Sequence, residues 1–370
     1  MTSSPIPPLM QRYPVLQEAF PVVHLATLPT PVGCLTQLEA TLPVEGLWIK
    51  RDDRSAEPYG GNKVRKLEYL LGWAQAQGHP AVLTFGAAGS NHALATSLYA
   101  QWHGLRCHAI LSPQENSPTV RKNLLGHLAA GTTLHPVSGR RAGQQRCCEI
   151  LCEEYADHGR LPFVIPPGGS SPLGMLGYVN AGLELAAQIE AGELPRPDAI
   201  YVASGTMGTC IGLLIGLQCA GLDMVQVVAV RVTVAPFTSP EKGRLLHQAT
   251  GRMLHDVDPA FPCFPFPEAQ FILKDAQLGA GYGFPTVAGE AAVQAIQAAE
   301  GISLEGTYTG KALAGLVEDA ENRVLCQKKV LFWNTYNSQD LTPLIQDKNY
   351  RDLPDDFHAY FKEADGAETK

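Results

Sequence analysis

The chain has 370 residues, 45% hydrophobic and 17% charged, with a formal net charge of −8 and a pI near 5.8. That is ample apolar material for a core and too long for one compact unit, so about two domains are expected. Basic patches are sparse, which argues against nucleic acid and anionic membrane as partners, and the longest apolar runs, such as Cys210–Leu217, are too short to span a bilayer.

Met1-Thr2-Ser3-Ser4-Pro5-Ile6-Pro7-Pro8 lacks a basic stretch followed by an apolar one. No signal peptide is expected, and a cytoplasmic location is. The nine cysteines are odd in number, scattered through apolar segments and without a C-x-x-C pair. They read as buried free thiols rather than disulfides or zinc ligands. The eleven histidines form no H-x-x-x-H or H-E-x-x-H pattern, so no metal site is expected.

Strand-like and helix-like segments alternate along the chain. Ala81–Phe85 is a strand, a glycine turn follows, and a helix runs from Asn91 to about His103. Cys107–Leu111 is a second strand, followed by a helix over Pro118–Ala130. Thr132–Pro136 is a third strand. Gln144–Tyr155 is an amphipathic helix with Cys148, Leu151, Cys152 and Tyr155 on one face. Phe163–Ile165 leads through another glycine turn into a helix, Gly177–Glu190. Ala199–Ala203, helix Thr209–Ala220 and strand Val225–Val232 continue the alternation. Thr286–Ala299 and Gly310–Asp319 are helices, and Val330–Trp333 is the last strand. The Pro- and Phe-rich segment Ala235–Ala269 and the tail after Asp340 carry no clear pattern. The alternation predicts an α/β fold with parallel sheet, helices on both faces and sites at the C-terminal ends of strands.

Four turns are rich in small residues: Gly86–His92, Pro167–Gly174, Ser204–Thr209 and Gly279–Gly283. Such turns expose backbone N–H groups and helix N-termini to anions. The Ser204–Thr209 turn is the best phosphate cradle: it follows a purely apolar strand, and Thr206 and Thr209 add hydroxyls. The first turn suits a carboxylate, through the Ser90 hydroxyl and the N–H groups of Asn91 and His92. Alternatively each glycine merely permits a tight turn. No G-x-G-x-x-G with a spaced acid and no G-x-x-x-x-G-K-[ST] is present, which argues against dinucleotide and nucleotide triphosphate sites.

Two readings are open for Tyr59-Gly60-Gly61-Asn62-Lys63-Val64-Arg65-Lys66-Leu67-Glu68-Tyr69. In one, Asn62 caps a surface helix and Lys63, Arg65 and Lys66 face water. In the other, the glycines let a ligand approach closely and deliver Lys63 to an electrophile such as an aldehyde.

Gly60-Gly61-Asn62-Lys63, Ser90-Asn91-His92 and the Gly/Thr turn occur in that order. With Trp48–Asp53, Gly168–Gly174, Gly281-Tyr282-Gly283-Phe284-Pro285 and Tyr308-Thr309-Gly310-Lys311-Ala312, they resemble the fold type II pyridoxal-phosphate enzymes of the D-cysteine desulfhydrase and 1-aminocyclopropane-1-carboxylate (ACC) deaminase family. The resemblance implies two open, twisted, mostly parallel sheets flanked by helices, as in the tryptophan synthase β chain. It implies a large cofactor-binding domain (1–66 and 178–345), a smaller α/β domain (67–177) closing over it, and a tail (346–370).

The resemblance also implies that pyridoxal 5′-phosphate is joined to Lys63, with Lys66 a structural or phosphate-side cation. Asn91 would meet the ring hydroxyl, and Gly205, Thr206, Met207, Gly208 and Thr209 the phosphate. Ser90, Asn91 and His92 would hold the substrate carboxylate, and Tyr282 and Tyr308 match active-site tyrosines. Thr309 stands where the deaminases have a glutamate facing the ring nitrogen. A neutral hydroxyl there makes a milder electron sink, which favours the desulfhydrase-like branch. Two departures concern the pocket. Met207 replaces a common glycine, and Thr335-Tyr336-Asn337-Ser338 replaces Thr-Gly-Gly, which would narrow the site and place Tyr336 near substrate.

The implied activity is a lyase acting on a small amino acid, giving a 2-oxo acid and ammonia, with a homodimeric assembly. ACC deaminase, racemase or β-replacement activity, and a non-catalytic paralogue, are the alternatives.

Overall fold

The computed structural model describes residues 5–362. The chain divides into two compact units: one gathers the chain up to Tyr69 with Ser170–Gln339, the other Leu70–Gly169 with the chain from Asp340 onward. In chain order the strands are β1 (Val32–Cys34), β2 (Gly46–Arg51), β3 (Ala81–Ala87), β4 (Arg106–Ser112), β5 (Thr133–Pro136), β6 (Phe163–Ile165), β7 (Ala199–Ser204), β8 (Gln226–Arg231), β9 (Phe271–Lys274) and β10 (Lys329–Asn334). The longer helices are α1 (Asn62–Ala76), α2 (Asn91–Trp102), α3 (Pro118–Ala129), α4 (Arg140–His158), α5 (Pro172–Glu190), α6 (Gly208–Cys219), α7 (Pro240–Val257), α8 (Val287–Glu300) and α9 (Thr309–Glu321).

In the larger unit six strands form one sheet in the order β1-β2-β10-β7-β8-β9. Only β1 runs antiparallel, pairing Val32 with Lys50. Strand β7 is buried along its whole length, as a strand covered on both faces must be, and from Ala199 to Ala203 its residues are accordingly small, aliphatic or aromatic. One face packs on α5 and α6 through Val179, Ile211, Leu214, Leu331 and Trp333. A Cβ on Gly182 would lie 2.8 Å from the Gly216 Cα, so glycines bring these two helices to backbone contact. The other face packs on α8 and α9 through Ile296, Leu313, Leu316 and Phe332.

Helix α7 lies inside the segment that gave no sequence pattern. Ser239 caps it, accepting from the Lys242 N–H at 3.2 Å, and Pro240 opens it. The phenylalanines after it cluster by edge contacts, Phe261 on Phe264 and Phe266 on Phe271.

In the smaller unit four parallel strands are ordered β5-β4-β3-β6. Helix α4 corrects the sequence reading: Cys148, Cys152 and Tyr155 are exposed, and the buried face is Gly143, Ile150 and Glu154. The reason is electrostatic. Glu154 turns inward to receive both Arg106 guanidinium nitrogens at 2.7 Å and His108 at 3.1 Å, so a carboxylate occupies a face that hydropathy alone assigns elsewhere. The segment after Asp340 packs Leu353, Phe357 and Phe361 against Ala88, Leu111, Val120 and Leu124.

The cysteine reading also needs correction. All nine are free, but only Cys107, Cys210 and Cys219 are buried, while Cys34, Cys148, Cys152, Cys263 and Cys326 are exposed. No described helix is long and apolar enough to cross a membrane.

Candidate active site

Helix α1 begins on a flat approach. Gly61 has φ +90, and a Cβ there would sit 3.0 Å from the Tyr336 carbonyl oxygen and 3.1 Å from that of Thr335. The Gly60 N–H donates to Asn337 Oδ1 at 2.7 Å, and the Asn62 N–H to the Thr335 carbonyl at 3.2 Å. Gly61 is therefore needed for the chain to lie on the loop after β10, and Gly60 because a Cβ there would sit 2.5 Å from the Asp53 carbonyl oxygen. Asn62 does not cap its own helix with its side chain, which donates to Thr209 Oγ1 on α6 at 3.0 Å.

The solvated-helix reading is overturned. Arg65 is fully buried and Lys66 is 1% exposed. Arg65 donates to both Asp52 oxygens, at 2.8 and 3.1 Å, and to both Glu184 oxygens, at 2.9 Å. Asp52 also accepts from Tyr178 at 2.5 Å and from the Trp333 indole at 2.8 Å, and Lys50 reaches Glu184 at 2.5 Å. Burial pushes the Asp52 and Glu184 carboxyls up, but Arg65 and then Lys50 outweigh it and hold both below their ordinary values.

Lys63, one turn from this network, is half-buried. Protein packed around its amine lowers its pKa to about 8, against a small upward pull from Cys210. Lys66 falls well below its ordinary value, first from burial, then from the Lys63 charge; Lys242 adds to it and Cys210 opposes. A buried ammonium with a second, half-buried amine one helical turn away is an arrangement that favours an anion.

That anion has a cradle. Lys66 Nζ donates to Ser170 Oγ at 3.3 Å; Ser170 Oγ lies 2.7 Å from Thr206 Oγ1 and accepts from the Gly208 N–H at 3.2 Å. A Cβ on Gly208 would sit 2.5 Å from Ser170 Oγ and 3.0 Å from Lys66 Nζ, so only glycine leaves the cradle open. Met207 adopts φ +70, a left-handed position that disfavours any side chain, which is why glycine is the expected residue there. Its side chain is buried in the core, against Gly243, so only its backbone serves the turn. The whole turn opens the N-terminus of α6, whose dipole favours negative charge.

Tyr308 overhangs the turn, its ring 3.7 Å from a Cβ placed on Gly205. Its hydroxyl meets that of Tyr282 at 2.6 Å. Thr309 is buried at the start of α9 and its Oγ1 lies 3.2 Å from Glu305 Oε1. The sequence reading did not single out Glu305. Its carboxylate accepts the N–H groups of Thr307 at 2.7 Å and of Tyr308 and Thr309 at 2.8 Å, and its signal was a carboxylate four residues before Thr309 at a helix start. Tyr336 is half-buried; burial, with a smaller effect from Glu305, raises its pKa to about 12. Asn337 is spent on the Gly60 and Gln339 N–H groups, so of the two residues replacing glycine it is a loop brace.

On the smaller unit Ser90 caps α2, accepting from the Ala93 N–H at 3.2 Å. Asn91 Oδ1 accepts from Asn123 Nδ2 at 3.0 Å, which makes Nδ2 the donor end of the Asn91 amide. His92 is buried with its Nε2 3.2 Å from the Thr84 hydroxyl, so its ring serves the sheet.

A glycine-built anion turn beside a half-buried, weakly basic lysine matches what sequence comparison shows. The model of the pyridoxal-phosphate dependent enzymes matches residues 23–335, and the chain belongs to that family. Among its relatives, the D-cysteine desulfhydrase of Yersinia pestis (strain Pestoides F) is 36% identical over 322 residues, covering 85% of this chain and 93% of the relative. That of Salmonella schwarzengrund is 35% identical over 85% and 94%. A crystal structure of an ACC deaminase homologue superposes with a TM-score of 0.75 at 31% identity, over 90% of this chain and 98% of that one. A fungal L-serine ammonia-lyase from Rhizomucor miehei, TM-score 0.58 at 19% identity, shares the fold.

The residues present fit the cofactor. A phosphate suits the cradle of Lys66, Ser170, Thr206 and the Gly208 approach, and an aldehyde suits a lysine amine with a pKa near 8.

Proposed function

We propose that this protein is a lyase that takes a small β-substituted amino acid of the D-cysteine type, with water, to a 2-oxo acid, ammonia and the released thiol. The observation that carries this reading is the cradle of Lys66, Ser170, Thr206 and the Gly208 N–H, with the half-buried Lys63 one helical turn before Lys66 and its pKa lowered by burial.

Lys66, Ser170, Thr206, Thr209 and the N–H groups of the Gly205–Gly208 turn would hold the phosphate. Asn91 Nδ2 is the donor that would meet the ring hydroxyl. Ser90 and the first N–H groups of α2 hold the substrate carboxylate, His92 contributing through its backbone. When bound, pyridoxal phosphate would supply an electron-withdrawing ring that takes up the electron pair left at the substrate's Cα; Thr309, whose Oγ1 lies 3.2 Å from Glu305 Oε1, would offer the ring nitrogen a neutral hydroxyl, which suits departure of a good β-leaving group. At pH 7 roughly a tenth of Lys63 is neutral, against about 0.03% for an ordinary lysine, so Nζ accepts the α-proton. The Tyr282–Tyr308 hydroxyl pair stands ready to pass a proton to the departing group, and Tyr336 shapes the substrate end. Homodimer assembly follows the family resemblance, and sedimentation checks it; the free cysteines suit a reducing cytoplasm.

The test loads purified protein with pyridoxal phosphate and offers a panel of D- and L-β-substituted amino acids and ACC. D-cysteine yielding 2-oxo acid, ammonia and sulfide in equal amounts supports the reading. Turnover of ACC alone, racemised amino acid without ammonia, or no turnover overturns it. Lys63→Ala abolishes the bound-cofactor absorbance band.

A further inference from the structure

Lys311 is buried completely, yet its ammonium is met by backbone rather than by a carboxylate hydrogen bond. Nζ donates to the Leu278 carbonyl at 2.9 Å and to the Gly281 carbonyl at 3.1 Å. Burial lowers its pKa, and Glu305 only partly offsets that. A desolvated ammonium costs stability, and a leucine or methionine would fill the same helix position without that cost.

What the charge holds explains it. Residues 278–283 form a loop without regular structure, with Gly279, Gly281 and Gly283 all at positive φ. Such a segment has no stiffness of its own, and it carries Tyr282. Lys311 lies three residues beyond Tyr308, in the first turn of the helix that Tyr308 opens. The same turn is fixed from the other side by Glu305, which accepts the Thr307, Tyr308 and Thr309 N–H groups. One helix end thus sets both tyrosines: Glu305 fixes Tyr308, and Lys311 grips the loop behind Tyr282.

We propose that Lys311 is a positioning residue that holds the Tyr282 hydroxyl on that of Tyr308 by clamping the Leu278 and Gly281 carbonyls. Its catalytic consequence rests on the lyase reading above; its structural content does not. Removing the clamp frees the loop, separates the hydroxyls and lowers kcat while leaving cofactor capture by Lys63 intact.

The test compares wild type, Lys311→Met, Lys311→Gln, Tyr282→Phe and the Lys311→Met/Tyr282→Phe double variant. In cofactor-free protein, hydrogen exchange of a peptide covering 276–285 is expected to quicken about 10-fold or more in Lys311→Met. In Lys311→Gln, which keeps a donor, it quickens less. A peptide covering 199–204 stays unchanged in both. In loaded protein Lys311→Met and Tyr282→Phe each lower kcat by about 10- to 100-fold, with the cofactor absorbance unchanged, and the double variant is no slower than the slower single one. Unchanged exchange at 276–285, or losses that multiply, overturns the clamp. If Lys311→Met does not fold, Lys311→Gln decides by the same exchange measurement. Absence of turnover in wild type refutes the lyase reading alone, since the exchange result stands without it.

Discussion

Replacing Lys63 by methionine stabilises the cofactor-free protein, and the gain depends on pH. The fold lowers the lysine from its ordinary 10.5 to about 8, a penalty of about 3 kcal/mol. The sign follows from the protons bound. Between pH 8 and 10.5 the folded chain holds fewer protons at this site than the unfolded chain, so stability rises with pH across that window. Below 8 the penalty is present in full. Methionine fills much the same space with no charge to desolvate, and it also relieves the Lys63 repulsion on Lys66. At pH 7 the cofactor-free Lys63→Met variant is therefore more stable than wild type by up to about 3 kcal/mol, and the gap shrinks as pH approaches 10.5. Urea unfolding of both proteins from pH 6.5 to 10 measures it. Added pyridoxal phosphate reverses the order, because only wild type captures it covalently. A variant less stable than wild type at pH 7, or a gap that ignores pH, refutes the claim that Lys63 is desolvated.

The cradle, the charge network and the pocket wall give three more expectations. Gly208→Ala puts a methyl carbon 2.5 Å from Ser170 Oγ and 3.0 Å from Lys66 Nζ; pyridoxal phosphate capture, followed by absorbance titration, weakens by about 30-fold or more, the cost of one charge-assisted hydrogen bond and its displaced partner. Asp52→Asn leaves Arg65 and Lys50 short of a counter-charge and destabilises by about 3–5 kcal/mol, read from the urea midpoint. Because Asp52 and Glu184 are held below their ordinary values, their contribution is present above the ordinary carboxylate range and lost as pH falls through the folded values, so Asp52→Asn also flattens the acid limb of the stability profile. Tyr336→Gly removes a half-buried ring and raises kcat/KM for bulkier β-substituted amino acids by about 10-fold or more relative to the smallest substrate; equal ratios in both proteins show that Tyr336 does not face substrate.

Much of the fold was legible because its core strands are short apolar runs between glycine turns. Ala199–Ala203 and Phe163–Ile165 fall within a residue of the observed strands. Helix α7 was not, because Gly243, Thr250 and Gly251 interrupt its propensity and proline and phenylalanine crowd its flanks. Helix α4 was predicted with the wrong face, because a paired carboxylate points inward. In the site, the glycine turns and the tyrosines were visible as residue types. What each tyrosine is held by was not: Glu305 and Lys311 act through backbone groups, and backbone partners leave no mark on a sequence pattern.

The largest misreading risk lay at α1, and its physical cause is general. Written out, Lys63-Val64-Arg65-Lys66-Leu67-Glu68 has the alternation of charge and apolar residue that marks a helix half in water. In the fold almost none of that turn faces solvent. Val64 and Leu67 enter the core, Arg65 spans Asp52 and Glu184, and Lys66 reaches Ser170. Glu68 accepts the Leu25 and Ala26 N–H groups at 3.1 and 3.0 Å, and Tyr69 accepts from Asn180 at 2.6 Å. Arg65 and Glu68 are answered by partners in the fold, while burial makes both Lys63 and Lys66 weakly basic. A helix whose neighbours are all pinned cannot rotate its lysine toward water. The pinning of Arg65 between its carboxylates therefore helps keep the Lys63 amine partly desolvated, the condition that its proposed role as nucleophile requires.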